Sequence, residues 1–196
     1  MEYAISAILA YLIGSIPTGY IIVKLFKNID VRTVGSGSTG ATNVKRVMGT
    51  PWFFVVLLLD ALKGALPVVS AKILAPDAFG ITAVIAALFV ILGHSRSIFL
   101  KFTGGKSVAT GVGTILALSL PVGLITAVIW SACTYFSKYV SFGSLVALSW
   151  TPFLMLIFKM PPAYVIYALV CAVYVIYLHR ENLVRLKNGT ENKVRQ

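Results

Sequence analysis

The sequence predicts an all-α integral membrane protein with seven transmembrane helices, the N-terminus outside and the C-terminus in the cytoplasm. Hydrophobic residues make up 58% of the chain and charged residues only 12%, whereas charged residues are about a quarter of an ordinary soluble domain. Several apolar runs are long enough for a hydrocarbon core about 30 Å thick. Lys and Arg cluster between these runs and give a net charge of +11, which is typical of cytoplasmic loops. We therefore favour a single transmembrane domain, residues 1–196, over a nucleic-acid-binding protein.

The first helix is predicted over residues 3–26. Residues 1–3 lack the basic region of a signal peptide, so we expect this run to remain in the membrane. Pro17 should bend its last turns. Small residues beside the proline would let a neighbouring helix approach closely, and these are Gly14, Ser15, Thr18 and Gly19. Packing alone explains this motif as well as a functional bend does.

The second helix is predicted over residues 52–71, after Pro51. Asp60 and Lys63 lie on one face of this helix, where each offsets part of the cost of burying the other. We favour a structural ion pair over a role in a site. The third helix is predicted from Phe79 to residue 92.

Three basic segments decide the predicted topology. They are residues 27–50, residues 94–106 and the tail from residue 179, and each should be cytoplasmic because it is rich in Lys and Arg. Residues 93–102, which run into the turn of the second segment, mix aromatic and basic residues and should lie in the membrane interface. The chain must therefore cross the membrane an even number of times between residue 106 and the tail.

Two apolar runs, residues 144–158 and 163–178, supply two of these crossings. The long apolar segment before them, residues 107–136, must then form two short helices hinged near Pro121. This assignment leaves only Lys72 and Lys159 outside, in agreement with the positive-inside rule.

Polar patches stand at the cytoplasmic edges of these helices. The first, residues 34–46, is rich in glycine and hydroxyl residues, so its backbone N–H groups can curl around an anion. The second, residues 102–110, is also Gly-rich and basic, the third opens the tail at residues 178–182, and residues 138–144 add a fourth. The candidate phosphate-binding site consists of Gly35, Ser36, Gly37, Ser38, Gly40, Thr42, Asn43, Arg46, Gly104, Gly105, Lys106, Ser141, Ser144, His179 and Asn182.

Few titratable groups accompany these patches, and Glu181 and Asp60 are the nearest carboxylates expected. A catalytic carboxylate pair is therefore not predicted, and neither a metal nor a cofactor is, since ligands at suitable spacing are missing. Cys133 and Cys171 lie in apolar runs and imply no disulfide. A pocket of this composition binds phosphoryl oxygens and suits transfer between a phosphorylated molecule and an acyl chain.

Each patch alone has a simpler explanation. A Gly/Ser-rich loop is commonly a flexible connector, and residues 104–107 lack the earlier glycine of a nucleotide-binding P-loop. His179 and His94 would each suit the end of a helix, and we weight His94 lower. The rival functions are a transporter of phosphorylated anions, which would show midplane charges and repeated halves, and a lipid-binding scaffold.

Taken in order, the patches resemble the bacterial membrane glycerol-3-phosphate acyltransferase family that uses acyl phosphate. The resemblance covers nearly the whole chain. It rests on Gly-Ser-Ile-Pro at 14–17, Gly-Ser-Gly-x-x-Gly-Ala-Thr-Asn at 35–43, Lys-Phe-x-Gly-Gly-Lys-x-Val-Ala-Thr at 101–110 and His-Arg-Glu-Asn at 179–182. Ser38 stands where the family usually has Asn, and Ser107 where it usually has Gly.

The resemblance implies transfer of a fatty acyl group from acyl phosphate to the 1-hydroxyl of sn-glycerol 3-phosphate, giving lysophosphatidic acid and inorganic phosphate. This reaction is the first acylation of phospholipid synthesis, at the cytoplasmic face of the bacterial inner membrane. Acyl-CoA and acyl carrier protein are not expected as donors. Membrane lipid is an expected partner and nucleic acid is not.

The two substrates are expected to bind different residues. Residues 35–38 and 40–43 would hold the phosphate of acyl phosphate. The residues predicted to hold glycerol 3-phosphate and to act in catalysis are Arg46, Lys106, His179 and Asn182, with Ser141 or Ser144 nearby. Orientation and charge neutralisation would supply most of the rate. The phosphate of the donor is one candidate acceptor of the hydroxyl proton, and His179 is the competing base.

Overall fold

A computed structural model of the chain describes residues 1–78 and 80–194. These residues form ten α-helices and two short 3-10 turns, and the predicted all-α class is confirmed. The helices are α1 (Glu2–Ser15), α2 (Thr18–Lys27), α3 (Ala41–Met48), α4 (Thr50–Leu74), α5 (Ile81–Ser95), α6 (Val108–Leu118), α7 (Leu120–Ser137), α8 (Val140–Ile157), α9 (Pro162–Leu178) and α10 (Arg180–Lys187). The 3-10 turns are Val31–Thr33 and Ile98–Leu100.

Length and composition identify four or five membrane spans among the described residues. Four stretches qualify alone: Glu2–Lys27, Thr50–Leu74, Leu120–Ser137 and Val140–Ile157. A fifth qualifies only as the pair α9 and α10, which is bent by 61°. The apolar helices α5 and α6 are shorter and pack against these spans. The seven crossings and their orientation stay a prediction.

Two helix breaks fall where prolines predicted them. The first helix is interrupted between Ser15 and Thr18, around Pro17. The apolar segment of residues 107–136 divides into α6 and α7 at the extended residue Ser119, and Pro121 lies in the first turn of α7. Proline suits a first turn because the N–H group that it lacks has no partner there.

The basic loop of residues 27–50 contains a helix that sequence analysis missed. Helix α3 occupies its second half, buries Ala41 and Val44, and ends at Gly49 with φ +92°. A helix of eight residues is marginal by itself, and α3 is stabilised by packing against α4 and α2. Local sequence signals were therefore too weak to indicate it.

The small residues around Pro17 serve two close contacts. Gly14 faces the carbonyl of Val90 in α5, and a side chain at Gly14 would overlap it. The expected close approach of a neighbouring helix is therefore confirmed at this position. Gly19 instead abuts the carbonyl of Thr39 in the first polar patch, so the glycine fixes that patch against α2.

A buried polar cluster lies beside the break in the first helix. The predicted ion pair of Asp60 and Lys63 forms with an N–O distance of 2.8 Å, and both side chains are buried. Thr18 donates to the Asp60 carboxylate, and Lys63 donates to the carbonyl of Ile16 at 2.7 Å. The cluster thus joins α4 to the carbonyl of Ile16, which has no helical hydrogen-bond partner because the first helix is interrupted there.

His94 belongs to this cluster, which corrects its predicted position in the membrane interface. The third helix runs three residues further than expected, to Ser95, while its predicted first residue, Phe79, lies outside the described residues. His94 is therefore buried in the last turn of α5, with Nδ1 3.6 Å from Oδ1 of Asp60. The extra turn of α5 therefore places His94 inside the bundle and not in the interface.

Candidate functional site

The first three predicted patches meet at one cavity of about 150 Å³. Each patch contributes polar groups to its wall, although they are far apart in the sequence. The lining residues are Ser36, Gly37, Ser38, Ser95, Arg96, Gly104, Gly105, Lys106, Leu178, Arg180 and Glu181. Ser95, Arg96 and Arg180 were not predicted as site residues, because they carry no glycine-rich signal of their own.

Asn43 holds the first patch together, and its predicted role as a phosphate ligand stays a prediction. Its side chain is 1% exposed, and Nδ2 donates to the carbonyls of Val31, Val34 and Ser38 at 2.9 to 3.0 Å. Its Oδ1 accepts from the N–H of Ser36 at 2.9 Å. Both ends of the amide are therefore occupied within the loop.

The first patch offers fewer free N–H groups than its composition suggested. Gly35 and Gly37 have φ of +61° and +67°, values that favour glycine. The N–H of Gly37 donates to Val34 at 3.1 Å, while that of Ser36 is held by Asn43. The hydroxyl-bearing residues Ser36 and Ser38 still line the cavity, so side chains rather than a full ring of N–H groups face it.

The remaining predicted residues of this patch lie in or next to α3. Gly40 precedes the helix, and its N–H donates to the hydroxyl of Ser38 at 3.3 Å. Thr42 is in the first turn and does not line the cavity. Arg46 is exposed, its stem lies beside Gly35, and its side chain hydrogen-bonds to no described protein group. The Arg46 guanidinium is therefore available to a bound anion.

The glycines of the second patch pack directly on the end of α5. The N–H of Gly105 donates to the carbonyl of His94 at 3.1 Å. A side chain at Gly105 would overlap the imidazole of His94, and one at Gly104 would overlap its carbonyl. This contact brings Lys106 to the cavity wall, where its ammonium donates to Oδ1 of Asn182.

Burial and the neighbouring Arg185 lower the pKa of Lys106 below its ordinary value, and Arg46 acts in the same direction. Glu191 and Glu181 oppose this shift. Since lysine starts from a pKa of 10.5, a lowered value makes the ammonium a stronger hydrogen-bond donor.

His179 lies at the bend between α9 and α10 and is 3% exposed. Its Nδ1 donates to the carbonyl of Val175 at 2.9 Å, which leaves Nε2 as the basic nitrogen. Burial lowers the pKa of His179 to about 4, although the bond to Val175 acts in the opposite direction. His179 is therefore neutral at physiological pH.

Asn182 and Ser141 converge on a carboxylate that sequence analysis missed. Nδ2 of Asn182 and the hydroxyl of Ser141 donate to Oε1 of Glu191 at 2.6 and 2.8 Å. Arg185 donates to Oε2 of Glu191 at 2.7 Å. The feature of the sequence that could have indicated this carboxylate is Gly189. Its φ of +68° permits the turn that brings Glu191 back to the site.

Ser144 is hydrogen-bonded to neighbouring helix residues, and its predicted role in substrate binding stays a prediction. Its hydroxyl accepts from Nε1 of Trp130 at 3.1 Å and donates to the carbonyl of Val140 at 2.8 Å. Both partners belong to the hairpin of α7 and α8, so Ser144 ties these helices together. Ser141, one turn earlier, faces the C-terminal tail instead.

An apolar groove of about 330 Å³ lies between α4 and α7. The start of α4 and the end of α7 form its walls, and the tail reaches it at Val194. The lining residues are Phe53, Phe54, Trp130, Ser131, Thr134, Tyr135, Lys138 and Val194. Its mostly apolar lining suits an aliphatic chain.

The described residues contain no group of three or more His, Cys, Asp or Glu side chains placed to hold a metal ion. The groups that line the cavity are cations, hydroxyls and glycine backbone, together with Leu178 and Glu181. Such groups bind and orient phosphoryl oxygens.

Comparison with known proteins gives consistent matches over the full length. Residues 4–189 match the family model for glycerol-3-phosphate acyltransferase. A glycerol-3-phosphate acyltransferase of Synechococcus sp. (strain JA-2-3B'a(2-13)) is 46% identical over 197 residues, covering 100% of this chain and 97% of the relative. Glycerol-3-phosphate acyltransferase 2 of Moorella thermoacetica is 46% identical over 193 residues, covering 98% and 97%.

Two crystal structures of PlsY (YgiH), an integral membrane glycerol 3-phosphate acyltransferase, are similar in fold. The glycerol 3-phosphate form has a TM-score of 0.94 and 36% identity, and the lysophosphatidic acid form has 0.92 and 35%. Each comparison covers 100% of this chain and 96% of the other.

Proposed function

This chain belongs to the glycerol-3-phosphate acyltransferase family, and from that premise we propose the complete reaction. It transfers a fatty acyl group from acyl phosphate to the 1-hydroxyl of sn-glycerol 3-phosphate and forms lysophosphatidic acid and inorganic phosphate. The reaction is the first acylation of phospholipid synthesis in the bacterial inner membrane. The observation that carries the proposal is the contact of Lys106 with Asn182, which unites distant patches at one anion-binding cavity.

The proposed topology has seven crossings within one domain, residues 1–196, and a site open to the cytoplasm. Helix directions support it. Ser97, just after α5, donates to Ser15 at the end of α1 at 2.6 Å, so α1 and α5 run the same way. Lys72, near the end of α4, donates to Ala117, near the end of α6, at 3.0 Å, so α4 and α6 run the same way. A short connection joins α4 to α5 and reverses the chain, so this second pair is antiparallel to the first.

The rest of the chain continues this alternation. The hydroxyls of Ser95 and Tyr174 hydrogen-bond at 2.8 Å, which brings the ends of α5 and α9 together. Short connections reverse the chain between α6 and α7, α7 and α8, and α8 and α9. The three cytoplasmic patches then lie at the same face of the membrane, as the positive-inside rule requires.

Glycerol 3-phosphate is proposed to bind where the second and third patches meet. Lys106 supplies an ammonium there, beside Asn182 and Ser141, and Arg46 adds an exposed guanidinium. Lys106 is half-buried and neutralises the charge of the phosphate at close range. Arg46 is exposed, so water screens its interaction with the phosphate more strongly. His179 fixes the bend that carries Asn182, with Nε2 as the only part of its ring free to accept a proton.

Acyl phosphate is proposed to bind across the first patch and the apolar groove. The hydroxyls of Ser36 and Ser38 would contact its phosphate. The acyl chain would lie between α4 and α7, against Phe53 and Trp130, where burial of each methylene contributes about 0.8 kcal/mol. The groove is thus the part of the site that makes an acyl donor a better substrate than a small phosphate ester.

The chemical step needs little from titratable side chains. The 1-hydroxyl oxygen attacks the acyl carbonyl carbon, the bond from that carbon to the phosphate oxygen breaks, and phosphate leaves. The leaving phosphate accepts the hydroxyl proton. With a pKa of about 4, His179 is a weak base at neutral pH, which favours the phosphate as acceptor. Lys106 and the hydroxyl donors stabilise the charge that develops on the leaving oxygens.

The direct test uses purified protein in detergent with synthetic acyl phosphate and labelled glycerol 3-phosphate. Lysophosphatidic acid and inorganic phosphate should appear in equal amounts, and acyl-CoA should not replace the donor. Product formed only from acyl-CoA would refute the proposed donor. Uptake of glycerol 3-phosphate into empty vesicles without any donor would instead indicate a transporter.

A further inference from the structure

The C-terminal tail folds back against the proposed site. After α10, the turn at Gly189 reverses the chain, and the Glu191 side chain becomes only 6% exposed. The tail is anchored a second time beyond it, since the N–H of Val194 donates to the carbonyl of Lys138 at 2.8 Å. The chain is therefore fixed both before and after Glu191, by the turn at Gly189 and by the hydrogen bond of Val194.

The carboxylate of Glu191 determines how Asn182 presents its amide. Lysine can only donate and an ionised carboxylate can only accept. Asn182 lies between them, so its Oδ1 must face Lys106 and its Nδ2 must face Glu191. Without the carboxylate, Nδ2 of Asn182 would lose its acceptor, and only Lys106 would hold the amide in this orientation.

We propose that Glu191 is a positioning residue for the acyl transfer: it orients Asn182, and through it the ammonium of Lys106, towards the glycerol 3-phosphate site. The proposal rests on the proposed function. It adds a carboxylate to a site built for anions, at a place where the carboxylate touches Asn182, Ser141 and Arg185. Its own charge is offset by Arg185, so it does not repel the substrate phosphate as an isolated carboxylate would.

An electrostatic consequence separates this role from simple structural support. The charged groups that act on Lys106 are Arg185, Arg46, Glu181 and Glu191, and His179 beside them is neutral. Of the two carboxylates, Glu191 is buried and Glu181 is 72% exposed, so solvent screens Glu181 more strongly. Removing the charge of Glu191 should therefore lower the pKa of Lys106 further.

The test compares wild type with Glu191→Gln, which keeps the shape and removes the charge. Reactivity of Lys106 towards acetic anhydride is measured across pH by mass spectrometry, without substrate. The labelling midpoint should fall by about one pH unit. In the acyl transfer assay, KM for glycerol 3-phosphate should rise about tenfold, as expected for a disturbed charge-assisted hydrogen bond, while KM for acyl phosphate stays within about twofold of the wild-type value.

Glu2→Gln is the matched control, because Glu2 is an exposed carboxylate in the first turn of α1. It should leave both the midpoint and the two KM values unchanged. An unshifted midpoint, or equal changes in the two KM values, would overturn the role of Glu191. Failure of wild type to form lysophosphatidic acid would refute the proposed function instead. The substrate-free titration would still test whether Glu191 affects the pKa of Lys106.

Glu191→Asp serves if Glu191→Gln is not recovered as monodisperse protein in detergent. Aspartate keeps the charge but withdraws it by one methylene from Asn182. The midpoint should shift in the same direction by a smaller amount, and KM for glycerol 3-phosphate should again rise. An unchanged midpoint together with an unchanged KM would overturn the proposal.

Discussion

Replacing Lys106 by methionine tests the proposed site most directly, since the variant keeps the apolar stem and removes the ammonium. In the structure this ammonium donates to Asn182 at the wall of the cavity. Truncating one partner of a buried, charged hydrogen bond costs about 2 to 5 kcal/mol. Because Lys106 is half-buried and Arg46 remains to bind the phosphate, we expect the lower part of this range.

A loss of about 2 to 3 kcal/mol corresponds to a fall in kcat/KM of about 30- to 150-fold. The assay is initial-rate formation of lysophosphatidic acid at saturating acyl phosphate, with glycerol 3-phosphate varied. Arg46→Ala should cost less, about 1 kcal/mol or roughly fivefold, because its guanidinium is exposed and screened by solvent.

Lys101→Met is the matched control for this experiment. Lys101 is an exposed cation just before the glycines of the second patch, so the substitution changes the net charge equally without reaching the cavity. Its kcat/KM should stay within about twofold of wild type. If Lys106→Met were folded and retained kcat/KM within about threefold of wild type, the phosphate would not contact Lys106 and the reasoning would be refuted.

Three further outcomes follow from the packing. Gly105→Ala places a methyl group on the His94 imidazole and should raise KM for glycerol 3-phosphate by about 10- to 100-fold, measured by the same kinetics; an unchanged KM would contradict the packing. The pKa of His179 is about 4 in the folded protein, against an ordinary value of 6.5, so the unfolded state binds this proton more readily. Acidification from pH 6.5 to 4 should therefore lower the free energy of unfolding by about 3 kcal/mol. Thermal unfolding against pH checks this, since His179→Gln should show a weaker pH dependence than wild type. Asp60→Ala and Lys63→Met should each cost about 3 to 5 kcal/mol, whereas the double variant should cost less than their sum in thermal unfolding; additive losses would show that the pair is not coupled.

Helix breaks and the buried ion pair were predictable because their causes are local. Pro17 and Pro121 act on their own turns through a missing N–H and a fixed φ. Asp60 and Lys63 share a helical face at a spacing that any α-helix brings together. Each of these predictions depends on residues within one or two turns, and the structure confirms them.

Side-chain roles in the first patch were harder to predict. A Gly/Ser-rich sequence indicates that the backbone can form an anion-binding turn, but it does not reveal which group fills that turn. Asn43 takes the N–H of Ser36 for itself, because a buried amide must satisfy its own hydrogen bonds. Ser144 is likewise held by Trp130, while Ser141, one turn away, reaches the C-terminal tail.

The sequence by itself determined the membrane setting, the helical class, the positions of the polar patches and the resemblance to an acyltransferase family. Composition, hydropathy and the order of short motifs are properties of the chain read in one dimension. Only the tertiary structure decided that Lys106 meets Asn182 across 76 positions and that Ser141 meets Glu191 across 50. Hydrogen bonds depend on distances of about 3 Å and on direction, and packing of the whole bundle, not the spacing of residues along the chain, sets both.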